Sequence, residues 1–296
     1  MLALLFILLG IYFFRHEREE LRALSPYLRA ADPFWMGIGL LVTGLYIFLQ
    51  SALFVYSFRA IGARLHWPAA VQLFLKRNFI STFLPGGGIA AFAYLPAMLR
   101  KEQLEKHSIY QGAGVQGFIG ILSLVLVGIP VIAYSLVHQG SAGGALPALA
   151  TAIGLLLLLV FAFRSFTQRR WLYKILLRYF PKWEHDMETL FTMNMSYRSF
   201  SLATLSSVGI EFTGIIHLLL AMKAAGEPAL AEAALMGYVV STLFLLISPF
   251  LRGLGAVELS LAYILSRYGY NSMAALEITL LYRLFEFWLP LLAGLL

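Results

Sequence analysis

The chain is 296 residues long, 60% of them hydrophobic and 12% charged, with a mean hydropathy of +0.80; soluble domains carry about a quarter charged residues. The composition is that of an integral membrane protein, all-α and polytopic, and it excludes an ordinary soluble enzyme. The lack of cysteine removes disulfides, thiolate metal sites and cysteine nucleophiles, and the net charge of +7 lies in loops beside apolar stretches, which suits an anionic membrane surface and not nucleic acid.

In chain order, Met1 to Phe14 is apolar but has no basic start before Arg15-His16-Glu17-Arg18, so it reads as a short or truncated first span and not as a secretory signal. Taking about 20 apolar residues per crossing, clear spans follow at Phe34 to Phe58, Ile109 to Val137, Ala145 to Phe163, Phe200 to Met222 and Met273 to Leu296. Two segments differ. Trp67 to Arg100 and Pro228 to Arg267 are each long enough for two short helices. Each is broken near its middle, by Leu84-Pro85-Gly86-Gly87-Gly88 and by Ser248-Pro249-Phe250-Leu251-Arg252-Gly253-Leu254-Gly255. Proline lacks the donor that a helix interior needs and glycine is a poor helix former, so each segment is expected to double back as a hairpin, re-entrant or fully spanning.

A hairpin returns the chain to the side it came from. The face carrying Arg59 to His66 then also carries Arg100 to His107 and the loop Arg164 to Arg198, and it collects about twice the cations of the opposite face. The positive-inside rule makes that face cytoplasmic and places both termini there, on the inner side of a cell membrane. Within Arg164 to Arg198, Trp171 to Phe180 spaces aromatic and aliphatic residues helically among cations, as a helix lying in the interface or as a plain linker. The whole, 1–296, reads as a single transmembrane domain. Span, hairpin, span runs over about 34–137 and recurs inverted over about 199–296, with the linking span and interfacial loop at 145–198. Paired interruptions in inverted repeats point to a midplane binding site, with Pro85, Gly86, Gly87, Gly88, Pro249, Gly253 and Gly255 lining it.

Charges inside spans are costly and mark functional sites by default. Glu211 sits mid-span; His217, six residues on, falls on another face and suits a hydrogen-bonded core histidine. Arg283 and Glu286 share a face of the last span, either as head-group ligands or as an internal ion pair. Arg252 and Glu258 flank the second break, while Arg77 and Asn78 occupy the first arm of the first hairpin beside Lys76. Together they can form a polar path holding a phosphate or ammonium group, because an arginine fork bonds two phosphate oxygens at once and a carboxylate pairs with an amine. The residues assemble no catalytic constellation or metal spacing, and no Lys-Ser or Lys-Thr follows Gly88 to make a nucleotide loop, so no cofactor is expected. Gly112, Gly114, Gly117 and Gly120 suit a close helix contact, either within the chain or in a homo-oligomer.

Pro249 to Glu258, then Tyr268-Gly269, Ala274-Ala275 and Leu281-Tyr282-Arg283 ending in Pro290, resemble the transmembrane domain of the lysylphosphatidylglycerol synthase/flippase family, the multiple peptide resistance factor-like membrane domain. Phe58-Arg59-Ala60-Ile61-Gly62 and the Leu84 to Gly88 turn agree more loosely. Phe250, Leu251 and Arg252 stand where the family often has Gly-Gly, and no acidic residue or arginine closely follows Gly88. The resemblance implies a flippase that moves phosphatidylglycerol-type, aminoacylated lipid between leaflets and so confers antimicrobial peptide resistance. Its substrate is then an anionic or aminoacylated phospholipid, and transferase activity would come from a cytosolic aminoacyltransferase domain absent from this chain. The alternatives are the membrane part of such a transferase, or a small-solute secondary carrier.

Overall fold

A computed structural model of the chain describes residues 26–83, 91–139, 195–247 and 255–294. The expected first span, the linking span at Ala145 to Phe163, the interfacial segment and all of both glycine-rich breaks except Gly255 lie outside the described residues. Every regular element among the described residues is helical: α1 Pro33–Ala60, α2 Trp67–Phe83, α3 Lys106–Gln139, α4 Tyr197–Ala224, α5 Ala231–Ile247, α6 Ala256–Arg267 and α7 Ser272–Arg283, which continues through a π-helical turn, Leu284–Trp288, into α8 Leu289–Ala293. Among the described residues three helices, Pro33–Ala60, Lys106–Tyr134 and Tyr197–Ala224, are long and apolar enough to cross a membrane. On α1 the exposed side chains Leu41, Leu45 and Phe48 recur at helical spacing, an outward apolar stripe that hydrocarbon tolerates and water does not.

Local chemistry sets the helix ends. Asp32 caps α1, its Oδ1 accepting the Phe34 N–H at 2.8 Å, and Pro33 takes the first helical position, where no N–H is needed. α1 and α4 then stop the same way. Gly62 and Gly226 take φ of +80° and +72°, conformations that side-chain-bearing residues rarely adopt, and the following N–H groups of Ala63 and Glu227 donate back to Phe58 and Met222 carbonyls at 3.0 Å each. Asn271 caps α7 by accepting the Ala274 N–H at 2.9 Å.

Among the described residues, the second arm of the first hairpin is helical at 91–93, in the short helix Leu95–Met98, whose first turn holds Pro96, and in a 3-10 turn, Arg100–Glu102. The last span is not a uniform α-helix. Pro290 has no N–H for the Glu286 carbonyl and its ring crowds the preceding turn, so the helix widens there, and the Leu289 N–H reaches back five residues to the Leu284 carbonyl.

The chain divides into two compact units. The first comprises Met1–Ser51, Trp67–Lys101 and Gly209–Leu296. In it α5 packs on α6, α6 on α7 and α8 on α2, with Phe79 of α2 against Trp288 and Leu291. At its edge the Tyr270 hydroxyl donates to the Pro228 carbonyl at 2.5 Å, and burial raises the pKa of that hydroxyl above its ordinary value. The second unit comprises Ala52–His66 and Glu102–Val208. There the Phe58 ring lies on α3 where a Cβ at Gly112 would stand, so Gly112 serves internal packing, and Ser123 meets Ser207 of α4 at 2.7 Å.

Candidate functional site

The buried charges of the described residues all fall in the first unit, and the last helix gathers most of them. The π turn leaves the Phe285 carbonyl without its usual donor four residues on, because the Leu289 N–H is spent on Leu284. Thr43 of α1 fills the gap, its Oγ1 lying 3.3 Å from that carbonyl and 3.0 Å from the Gly39 carbonyl. So close an approach requires glycine at 39, since a Cβ there would run into the Phe285 ring.

His217 of α4 is fully buried beside this contact. Its Nε2 is 3.2 Å from Thr43 Oγ1 and its Nδ1 is 2.7 Å from Glu286 Oε1. The imidazole stacks on Phe285 with centroids 5.4 Å apart, and Tyr46 closes it from the side. Six residues earlier on α4, Glu211 accepts the Tyr238 hydroxyl at 2.8 Å, and the Tyr238 ring covers Gly214 where any side chain would clash.

Arg283 and Glu258 form the second buried pair, Nε to Oε1 at 2.5 Å, with side chains 5% and 11% exposed. The guanidinium also lies 4.3 Å from the centroid of the Phe287 ring, one turn along. The charges touch, yet no N–H is aimed at the carboxylate. Arg283 Nε and Nη2 and both Glu258 oxygens are therefore buried without a protein hydrogen-bond partner. Asn78 of α2 is in the same position, 3% exposed with neither amide atom hydrogen-bonded. Native interiors rarely leave such groups unmatched, because each costs about 1–3 kcal/mol and more when charged.

The expected site residues thus separate into three groups. Glu258 and Arg283 meet; Glu286 meets His217; Glu211 meets Tyr238. The internal Arg283–Glu286 pair does not form, because each side chain is engaged by a different helix around the π turn. Arg77 is half-buried on α2, and Gly255, with φ +78°, precedes the first residue of α6. Pro85, Gly86, Gly87, Gly88, Pro249, Arg252 and Gly253 lie outside the described residues. Thr43, Tyr46, Tyr238 and Phe287 are partners that the sequence did not single out; hydroxyls in apolar helices ordinarily bond their own backbone and give no signal of a tertiary role.

Several apolar helices of spanning length among the described residues define a multi-pass membrane protein. The chain belongs to the family described as the lysylphosphatidylglycerol synthase TM region, whose model matches residues 1–294. No curated protein matches the chain in sequence.

Proposed function

We propose that the chain is a lipid translocase that carries phosphatidylglycerol-type lipid, aminoacylated at its head group, between leaflets, and that it performs no covalent chemistry of its own. The observation that carries this reading is the Arg283–Glu258 pair with its unmatched donors and acceptors. An aminoacylated phosphatidylglycerol presents an anionic phosphate and a cationic ammonium a few bonds apart. Arg283 Nε and Nη2 can donate to the first and the Glu258 oxygens can accept from the second, in a buried setting where both contacts are strong. Asn78, on the helix that packs against α8, offers a further donor and acceptor. The acyl chains need no protein site, since they stay in lipid while the head group crosses.

The helix spacing supports an internal repeat. Residue 33 starts α1 and 197 starts α4, 60 and 224 end them, and 67 and 231 start the helices that follow, an offset of 164 residues each time. The capping glycines 62 and 226, and Pro85 and Pro249 of the two breaks, keep the same offset. We take these as two inverted repeats within one transmembrane domain, each with a Pro/Gly-broken hairpin and the head group received between the breaks. The cation excess of the Arg59 and Arg164 loops puts those loops and both termini on the cytoplasmic side of a cell membrane. The family description names a synthase, which favours one second reading: the chain is the membrane part of a lipid aminoacyltransferase whose catalytic domain is separate.

The test is leaflet-resolved movement of fluorescent phosphatidylglycerol, its lysyl derivative and phosphatidylcholine in proteoliposomes of the purified chain. A translocase moves the lysyl lipid well above empty liposomes and phosphatidylcholine poorly. No movement of any of the three overturns the reading in favour of the transferase subunit.

A further inference from the structure

Thr43 Oγ1 has three neighbours and one proton to give. The Gly39 carbonyl at 3.0 Å and the Phe285 carbonyl at 3.3 Å can only accept, while His217 Nε2 at 3.2 Å can do either. As long as the hydroxyl serves a carbonyl, Thr43 must accept from the ring, which places a hydrogen on Nε2. Nδ1 then faces Glu286 Oε1 at 2.7 Å in one of two forms. Either imidazolium meets carboxylate, or neutral imidazole meets carboxylic acid. Both hold one proton more than neutral histidine beside an ionised glutamate.

Removing that proton has a structural consequence. The deprotonated pair needs its hydrogen on Nδ1 to satisfy the carboxylate, so Nε2 is bare and Thr43 must turn its O–H to the ring. The Phe285 carbonyl, already deprived of Leu289 and followed by Pro290, then loses Thr43 as well. Proton occupancy is thereby tied to the π turn, which begins at the residue after Arg283.

We propose that the His217–Glu286 pair is an exchangeable proton site inside the membrane and that the proton is the coupling ion for head-group movement. The second half rests on the translocase reading above; the first does not. In each cycle an O–H or N–H bond forms at Oε1 or Nδ1 with a proton from water on one face, and it breaks to return that proton to water on the other.

Several helices face the pair. α1 brings Thr43 and Tyr46 against His217, and α5 brings Tyr238, hydrogen-bonded to Glu211, within electrostatic reach of Glu286. Tyr282 and Arg283 stand on the same helix as Glu286, and from α6 Glu258 is already engaged by Arg283. α2 presents Phe74 to Tyr46; its cations are Arg77, half-buried, and Lys76, exposed.

The test uses the full chain in lipid membranes. Infrared difference spectra over about pH 4 to 9 should show a carboxyl or imidazolium band that titrates in the parent and is lost or displaced in Glu286→Gln. Thr43→Val, which removes the acceptor for Nε2–H while keeping the shape, should shift that midpoint by about one pH unit, and Thr43→Ser should restore it. A parent without such a band, or a band unchanged in both Glu286→Gln and Thr43→Val, overturns the site. In proteoliposomes, an imposed pH gradient should speed lipid movement in the parent and leave Glu286→Gln unaffected. Lipid movement that is indifferent to the gradient overturns the coupling while the translocase stands. A titrating band without any lipid movement supports the site and overturns both the coupling and the translocase.

Discussion

The two units bury polar groups of different kinds. Among the described residues, the second buries Ser57, Gln111, Gln116, Ser123, Ser199, Ser206 and Ser207, all uncharged, whereas the first buries Glu211, His217, Glu258 and Arg283 together with its hydroxyls. A serine in an apolar helix can return its hydrogen to its own backbone at little cost, as Ser123 does to the Gly120 carbonyl at 2.9 Å. A buried carboxylate or guanidinium has no such local remedy and must be held by another helix or by a ligand. The buried polar groups among the described residues of the second unit are thus met by mostly local means, and those of the first carry a larger desolvation cost.

Within the first unit the contrast repeats at shorter range. Around the π turn both His217 nitrogens and Glu286 Oε1 have partners, while Arg283 and Glu258 keep atoms without one. The matched pair suits the proposed exchangeable proton site, and the unmatched pair suits the proposed head-group site.

The comparison can be broken most sharply at Arg283. Arg283→Met alone leaves Glu258 buried and uncompensated and should cost about 3–5 kcal/mol, read as a large fall in melting temperature in detergent; a parent-like melt would mean that the pair is not buried in charged form. Next come the glycines. Gly39→Ala in the first unit forces Phe285 out of place and should cost about 1–3 kcal/mol, whereas Gly114→Ala in the second, where a Cβ meets nothing, should cost nothing and gain up to about 1 kcal/mol of helix propensity. Equal melts for the two would remove the close approach of α1 to the last helix. Smallest is Ser207→Ala in the second unit, expected to cost about 1 kcal/mol through the lost Ser123 contact and to leave lipid movement as in the parent. A loss of movement there would show that the division of labour between the units is wrongly drawn.

Much of this was legible in the sequence, for identifiable reasons. The span expected at Phe34 to Phe58 is α1 extended by two or fewer residues at each end, because a membrane-length apolar run bounded by Asp32-Pro33 and Gly62 carries its own limits. Glu258, Arg283, Glu286 and Glu211 were picked out because charge in an apolar span needs a reason, and each proves to be engaged by another helix. The pairing was not legible. It depends on a π turn at Leu284–Trp288, and counting 100° per residue along the last span put Arg283 and Glu286 on one face, as head-group ligands or as an internal pair. Thr43 and Tyr238 were invisible for the opposite reason: they look like ordinary hydroxyls in a helix, and only the tertiary fold shows them aimed at His217 and Glu211.

The central claim, that the unmatched pair receives a head group, is tested most directly by the double variant Arg283→Met/Glu258→Met. Replacing both members of a buried ion pair by apolar residues of similar volume is often neutral or stabilising, so the variant should melt at or above the parent. Assayed for leaflet-resolved movement of lysylphosphatidylglycerol beside the parent, it should fold and move no lipid above empty liposomes. A folded double variant that moves the lipid at the parent's rate would contradict the account.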